Sequence, residues 1–380
     1  MKIVCDNKIP FLRGVLEPYA EVVYLPGKET TPEVVRDADA IITRTRTICD
    51  ESLLKGSSVK VIATATIGFD HIDTGWCEEH GIIWRNAPGC NSWSVKQYMS
   101  SVLVSLSRMR SFDLEGKTLG VVGVGNVGSK VAQAASALGM KVLLNDPPRE
   151  RREGSGGFVS LDEILRRSDI ITLHVPLSRE GEDATWHLFD AERIGKMSPS
   201  QILVNSSRGP VVDNAALKQA LKARAIAGGV LDVWEGEPDL DPELVSLLDI
   251  TTPHIAGYSA DGKANGTAAS VRTVSEVLGL PLTDWFPGDI PSPSMPLEFG
   301  IDAAGKTRQE VLSEAVLYTY DVLEDSGRLR GNLGLFEKLR GDYPVRREPS
   351  AFTLKLKGGD TALAGALEAL GFKVNQSTDK

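Results

Sequence analysis

The chain has 380 residues, 42% of them hydrophobic and 24% charged, with a formal net charge of −9. That length exceeds one ordinary core, so two or three domains are expected, and the negative balance disfavours nucleic acid or an anionic membrane as the main partner. No apolar run approaches the roughly 20 residues of a membrane helix, the first ten residues show no secretory pattern, and Cys5, Cys49, Cys77 and Cys90 form no CxxC pair, so a cytoplasmic protein with reduced thiols is expected.

From residue 1 to about 95, short β-rich runs alternate with helix-like stretches. "KIVC", "EVVYL", "AIITRT", "VKVIATAT" and "GIIWRNA" read as strands; "TPEVVRDA" and "DESLLKG" open with cap-type residues and carry helical spacing. This alternation predicts a parallel sheet covered by helices. After a helical stretch from Ser92 to Arg110 the pattern restarts with "KTLGVVG", "KVLLND", "DIITLHV", "QILVNSS", "GGVLDVW" and "DITTPH". These are nearly unbroken apolar runs, as strands buried on both faces require. The helical "GTAASVRTVSEVLG" follows and is expected to return to the first domain. Five prolines between 281 and 298 mark a linker. Beyond it, "QEVLSEAVLYTYDVL" has helical spacing, "SAFTLKL" alternates like a strand, and "DTALAGALEALG" is a helix between the cap Asp360 and the stop Gly371. The predicted fold is therefore α/β, with two Rossmann-like, doubly wound parallel-sheet domains and a small α+β C-terminal unit. The expected boundaries are 1–95 with 261–285 for a discontinuous, flavodoxin-like substrate domain, 96–260 for a nucleotide domain, and 286–380 for an association module.

Within the second domain, Gly123, Gly125 and Gly128 form a GxGxxG that follows an apolar strand and opens a helix, and the next strand ends in Asp146. A lone GxGxxG is weak; in this strand–loop–helix–strand context it is a dinucleotide fingerprint. Gly123 permits the tight turn, Gly125 lets the backbone approach a pyrophosphate, and Gly128 lets the helix pack close. Asp146 suits the two ribose hydroxyls and would repel a 2′-phosphate, so NAD is the expected cofactor. The plain alternative is packing glycines followed by a strand-end cap.

Three downstream strand ends carry reactive side chains: Arg208 in "ILVNSSRG", Glu237 in "GGVLDVWEGEP" and His254 in "ITTPH". In an open α/β sheet ligands bind beyond the carboxyl ends of the strands. Together the three suit oxidation of an alcohol beside a carboxylate. Histidine, titrating near ~6.5, is the natural base for the hydroxyl proton. Glu237 would orient the ring and favour the imidazolium, and Arg208 would grip the carboxylate with its planar fork. Taken singly, each has a bland reading as surface arginine, turn acid or packed histidine. A metal site is the weaker rival, because no second histidine or cysteine has ligand spacing to His254.

The fingerprint, "LVNSSRGPVVD", "LDVWEGEP" and "TPHIAGYS" resemble the D-2-hydroxyacid dehydrogenase family along essentially the whole chain. The resemblance implies Arg208, Glu237 and His254 as the catalytic triad in a cleft between two domains, with Thr45, Thr66 and Tyr258 on the substrate. It implies that Asn126, Val127, Asp146 and Val175 line the NAD. Ser206, Ser207, Asp232 and Gly257 would complete that lining. It further implies a small phosphorylated 2-hydroxy acid as substrate and a homodimer held by the C-terminal unit. Arg44 is the expected phosphate ligand, with Arg46 as its companion and Arg346 or Arg347 adding to it if the tail crosses the cleft or reaches from a partner chain; the plain alternative is that all four are solvated surface charges. Two departures from the family pattern stand out: Arg44-Thr45-Arg46 where Arg-Ser-aliphatic is expected, and the polar "SWSVKQY" that opens the 92–110 helix. Another 2-hydroxyacid dehydrogenase, or an NAD-sensing regulator without catalysis, remains the alternative.

Overall fold

The computed structural model describes residues 1–154 and 156–377, so the last three residues of the expected C-terminal module lie outside the described residues. By internal contacts the chain divides into two compact units, residues 1–91 with 259–291, and residues 92–258 with 292–380.

The first unit is built on β1 (Lys2–Asp6), β2 (Glu21–Leu25), β3 (Ala40–Thr43), β4 (Val61–Thr64) and β5 (Ile83–Arg85). All pair in parallel, in the order β2-β1-β3-β4-β5. Alternate residues enter opposite cores, as the two-residue period of a strand dictates. Ile3, Cys5, Ala40, Ile42, Val61 and Ala63 face one cluster, whereas Val4, Ile41 and Ile62 face the other. The Ala260–Leu278 helix closes the first of these through Val271 and Val274. It lies so close that a Cβ on Gly266 would fall 2.5 Å from the Ala65 carbonyl oxygen.

The second unit carries β6 (Thr118–Val122), β7 (Lys141–Asn145), β8 (Ile170–Leu173), β9 (Ile202–Asn205), β10 (Gly228–Leu231) and β11 (Ile250–Thr251). These strands are again all parallel, in the order β11-β10-β9-β8-β6-β7. The chain enters at β6 and winds first to β7, then back through β8 towards β11, so the winding reverses between β6 and β8. A third sheet of β12 (Glu298–Asp302), β13 (Thr353–Lys357) and β14 (Lys373–Ser377) belongs to the same unit. Its strands are parallel in the order β12-β13-β14, with helices as crossovers, so the small module is itself α/β.

The C-terminal module and the nucleotide-type sheet share one core. Phe352, Leu354, Leu356 and Leu367 are in the cluster that holds Tyr98, Val102, Leu119 and Val121. Between them runs the Ser92–Arg110 helix, buried from Ser92 to Ser107 except for the half-buried Trp93. Its polar opening, a departure from the expected pattern, is matched by the module. Ser94 Oγ donates to Glu348 at 2.9 Å, Lys96 Nζ to the Ala369 carbonyl at 2.6 Å, and Gln97 Nε2 to the Arg347 carbonyl at 3.0 Å. Burial pushes the Lys96 ammonium down to about 8, with Lys130 adding to the effect. Buried polar groups need such partners, and here the tail supplies them. All four cysteines are free thiols.

Candidate active site

The glycine turn lies at the winding reversal between β6 and β8, where open α/β sheets take their ligands. Gly123 has φ 85°, and a Cβ there would sit 2.7 Å from the His174 backbone just beyond β8. A Cβ on Gly128 would fall 1.9 Å from the Gly123 carbonyl oxygen, so only glycine lets the Asn126–Ala137 helix begin this close to the strand. Gly125 is different: a Cβ there meets nothing within 4 Å, and as N-cap it gives the helix no side-chain hydrogen bond. The space beside the start of that helix is therefore open at Gly125, which is what a pyrophosphate approaching the helix N-terminus requires. Asn126 is exposed and Val127 half-buried on the same turn.

Asp146 follows β7 and accepts from Val124 N at 2.8 Å and Arg149 N at 3.0 Å. It caps the Pro147–Glu153 helix, as the bland reading had it. A carboxylate has about four acceptor positions, so two hydroxyls of a ribose can still be held. Val175 is half-buried one residue past His174. These features fit a dinucleotide. No cluster of metal-ligating side chains occurs among the described residues.

Arg208, Glu237 and His254 follow β9, β10 and β11, three adjacent strands of one sheet. His254 Nδ1 lies 2.9 Å from Glu237 Oε2, and Glu237 Oε1 accepts from Trp234 N at 2.9 Å. Burial alone would raise the Glu237 carboxyl. The hydrogen bond and charge of His254, the Trp234 N–H and the nearby Arg340 guanidinium outweigh it and hold the group below its ordinary value. An ionised Glu237 can only accept, so in the neutral form of His254 the proton sits on Nδ1 and Nε2 presents its lone pair. The other acid of "EGEP" does different work: Glu235 accepts from Asn214 N at 2.9 Å and lies 2.7 Å from His187 Nε2. Arg208 is half-buried, with Nη1 donating to the Ser207 carbonyl at 2.9 Å. Its loop abuts the β10 loop, since a Cβ on Gly209 would fall 2.0 Å from the Trp234 carbonyl oxygen.

The His254 loop is gripped from two sides. His254 has φ 57°, a left-handed conformation that a branchless polar residue tolerates at some cost. From the sheet side, buried Asp232 accepts from Thr252 Oγ1 (2.6 Å), Ile255 N (2.8 Å) and Ala256 N (2.9 Å). Burial raises the Asp232 carboxyl, against the pull of the His254 charge and these bonds. From the C-terminal module, Arg346 Nη2 donates to the Ile255 and Ala256 carbonyls at 3.2 and 2.7 Å. Arg346 is 5% exposed and its guanidinium stands 4.5 Å from the Tyr320 ring centre. It is thus a buried clamp on the loop, where the tail was expected to offer Arg346 or Arg347 to a phosphate. Tyr258 N donates to the Ile255 carbonyl at 2.8 Å, and its ring meets Tyr343 edge-on at 5.8 Å. Ser206 and Ser207 open the Arg208 loop, Ser207 Oγ donating to Asn205 at 2.8 Å, and Gly257 lies between Ala256 and Tyr258.

In the first unit, Arg44 and Thr45 follow β3 and Thr66 follows its neighbour β4, beyond the carboxyl ends of two adjacent inner strands. Thr45 is exposed; Arg44 Nη1 donates to the Lys8 carbonyl at 3.3 Å, and Thr66 Oγ1 donates to the Gly68 carbonyl at 2.9 Å. Arg346 as a clamp and Arg340 as a neighbour of Tyr258 were not legible as such. Both lie in a tail whose place is set by packing alone.

Residues 84–256 match the family model described as D-isomer specific 2-hydroxyacid dehydrogenase, NAD binding domain, and residues 295–371 match a domain of unknown function. The chain is 51% identical to the erythronate-4-phosphate dehydrogenase of Bacteroides fragilis, over 93% of this chain and 99% of that one. It is 42% identical to that of Porphyromonas gingivalis, over 98% and 100%. Among solved structures, the D-lactate dehydrogenase of Aquifex aeolicus in complex with NAD and lactic acid is 29% identical. Its TM-score is 0.63, over 77% of this chain and 100% of that chain.

Proposed function

The chain belongs to the D-isomer specific 2-hydroxyacid dehydrogenase family, among the erythronate-4-phosphate dehydrogenases, and from that premise we propose that it oxidises 4-phospho-D-erythronate with NAD. The product is 3-hydroxy-2-oxo-4-phosphooxybutanoate, and the step belongs to the synthesis of pyridoxal 5′-phosphate. The observation that carries the chemistry is the 2.9 Å contact between His254 Nδ1 and Glu237, one strand from Arg208.

When bound, NAD supplies the acceptor for the hydride that leaves C2. The protein's part is to hold the substrate and remove the hydroxyl proton. Arg208 binds the carboxylate through two parallel N–H bonds and so fixes C2. His254 Nε2 takes the proton of the 2-hydroxyl as the C2–O double bond forms. Glu237 keeps the ring in the tautomer that leaves Nε2 free and stabilises the imidazolium that results. In the reverse direction the same imidazolium returns the proton. Gly125 and the N-terminus of the following helix hold the pyrophosphate, and Asp146 holds the adenosine ribose. Val127, Val175, Ser206, Ser207, Asp232 and Gly257 line the remainder. Thr45, Thr66 and Tyr258 are assigned to the substrate, and Arg44 with Arg46 to its phosphate. The C-terminal module joins two chains as a homodimer in the cytoplasm.

A panel of 2-hydroxy acids with and without a terminal phosphate, assayed by NADH formation, tests this reading, with light scattering on the same preparation. 4-Phosphoerythronate is expected to give the highest kcat/KM, at twice the chain mass. A higher value for 3-phosphoglycerate or an unphosphorylated acid would reassign the substrate, and an active monomer would remove the dimer.

A further inference from the structure

A substrate with a carboxylate at one end and a phosphate at the other needs two cationic holds; Arg208 accounts for the first, and the reading above assigns Arg44 with Arg46 to the second. The second unit places one more arginine beside this chemistry. The short Phe336–Gly341 helix brings the Arg340 guanidinium 5.9 Å from the centre of the Tyr258 ring, and Tyr258 follows His254 by four residues. Its charge also reaches Glu237, whose carboxyl it helps to hold down. Arg340 is poorly served where it stands. Its Nε is shut off from water and has no acceptor, and its ion pair, from Nη1 to Glu337 Oε1, is long at 3.7 Å. A buried guanidinium N–H without a partner calls for a reason, and an anionic ligand supplies one.

The helix that carries Arg340 is no loose appendage. Arg346, six residues on, is clamped to the His254 loop, and Tyr343 between them packs edge-on against Tyr258. The segment 336–346 is thereby fixed to the loop that presents both His254 and Tyr258. It lies inside the stretch that matches a domain of unknown function. Lactic acid, the ligand of the Aquifex aeolicus enzyme, has no second anionic group to be held.

We infer that Arg340 is a specificity-determining residue that binds the terminal phosphomonoester of the substrate, and that the C-terminal module supplies this contact within its own chain. The inference rests on the phosphorylated-substrate reading given above. Arg340 selects for the second charge while Arg208 and His254 handle the end that reacts.

Kinetics of Arg340→Gln and Arg340→Lys against 4-phosphoerythronate and unphosphorylated erythronate test it. Arg340→Gln should raise KM for the phosphorylated acid about 10- to 100-fold, the scale of a lost charge-assisted contact. It should change KM for erythronate far less, any effect through Glu237 falling equally on both acids, and Arg340→Lys, which keeps the charge, should recover part of the loss. Inorganic phosphate should compete with substrate in the wild type and lose its grip in Arg340→Gln. Equal losses on both substrates with a shifted pH profile would mean that Arg340 only tunes Glu237 and would overturn the proposal, as would no change on either. If the enzyme does not oxidise 4-phosphoerythronate, the substrate reading fails by itself. Arg340 is then judged by inorganic phosphate, as inhibitor of whichever hydroxy acid is turned over. Inhibition that persists undiminished in Arg340→Gln refutes the site.

Discussion

A histidine in a left-handed backbone conformation, as His254 is, persists only where its surroundings over-determine it. Here the determination comes from Asp232 on one side and Arg346 on the other. On the proposed mechanism Arg346 is therefore a positioning residue for His254. Replacing it with methionine takes the donor from the Ala256 carbonyl and the second donor from the Ile255 carbonyl, which keeps Tyr258 N, a loss of about 2 kcal/mol in stability. It should also lower kcat more than 10-fold while NAD affinity and KM stay close to wild type, with Arg346→Lys partly restoring turnover. Thermal melts beside steady-state kinetics, scaled to NAD-binding sites, separate the two effects; a melt that drops while kcat per site holds would leave Arg346 only a structural role. The placement of Arg208, Glu237 and His254 beyond three strands was legible because each sits just past an apolar run in the text. The clamp was not, because nothing in "YPVRRE" says which of its arginines turns inward. The dense bonding of one and not the other is a property of the packed tail.

At the scale of the element, the glycine turn divides into positions that serve the fold and one that serves the ligand. Gly128→Ala would push a methyl group into the Gly123 carbonyl, so it should destabilise the protein even with no NAD present. Gly125→Ala points its methyl into open space at an ordinary φ of −76°. That variant should melt like wild type and yet bind NAD at least about 10-fold more weakly, read by titration calorimetry. Wild-type affinity in Gly125→Ala would move the pyrophosphate elsewhere. The inner strands of both large sheets were readable because burial on both faces makes them continuous apolar runs. Two edge strands of the C-terminal sheet were not. "EFGID" follows directly on a proline-rich stretch, and "KVNQS" carries a single aliphatic residue. The helical spacing of "QEVLSEAVLYTYDVL" likewise conceals a break. The Arg308–Thr319 helix stops where Tyr320 turns its hydroxyl to Asp325, and Asp321 caps the next helix through Leu323 N.

Over the whole molecule, two successive parallel sheets could be foreseen from the restart of the strand–helix alternation, and the return of the 260–278 helix to the first unit from its place after the last strand. What composition could not convey is that the C-terminal module shares its core with the nucleotide-type sheet. Such a merger depends on which apolar faces meet, and polar "SWSVKQY" looked out of place only because its partners lie more than 200 residues away. The chain thus joins a turn suited to a dinucleotide, a paired imidazole and carboxylate, and a C-terminal module that braces them. Removal of the substrate's hydroxyl proton by His254, in a site that NAD occupies independently, is the central claim. The most direct measurement is turnover of His254→Ala on 4-phosphoerythronate, together with its NAD affinity. Turnover lower by about 10²- to 10⁴-fold with NAD affinity intact is the predicted result; turnover equal to wild type would contradict it.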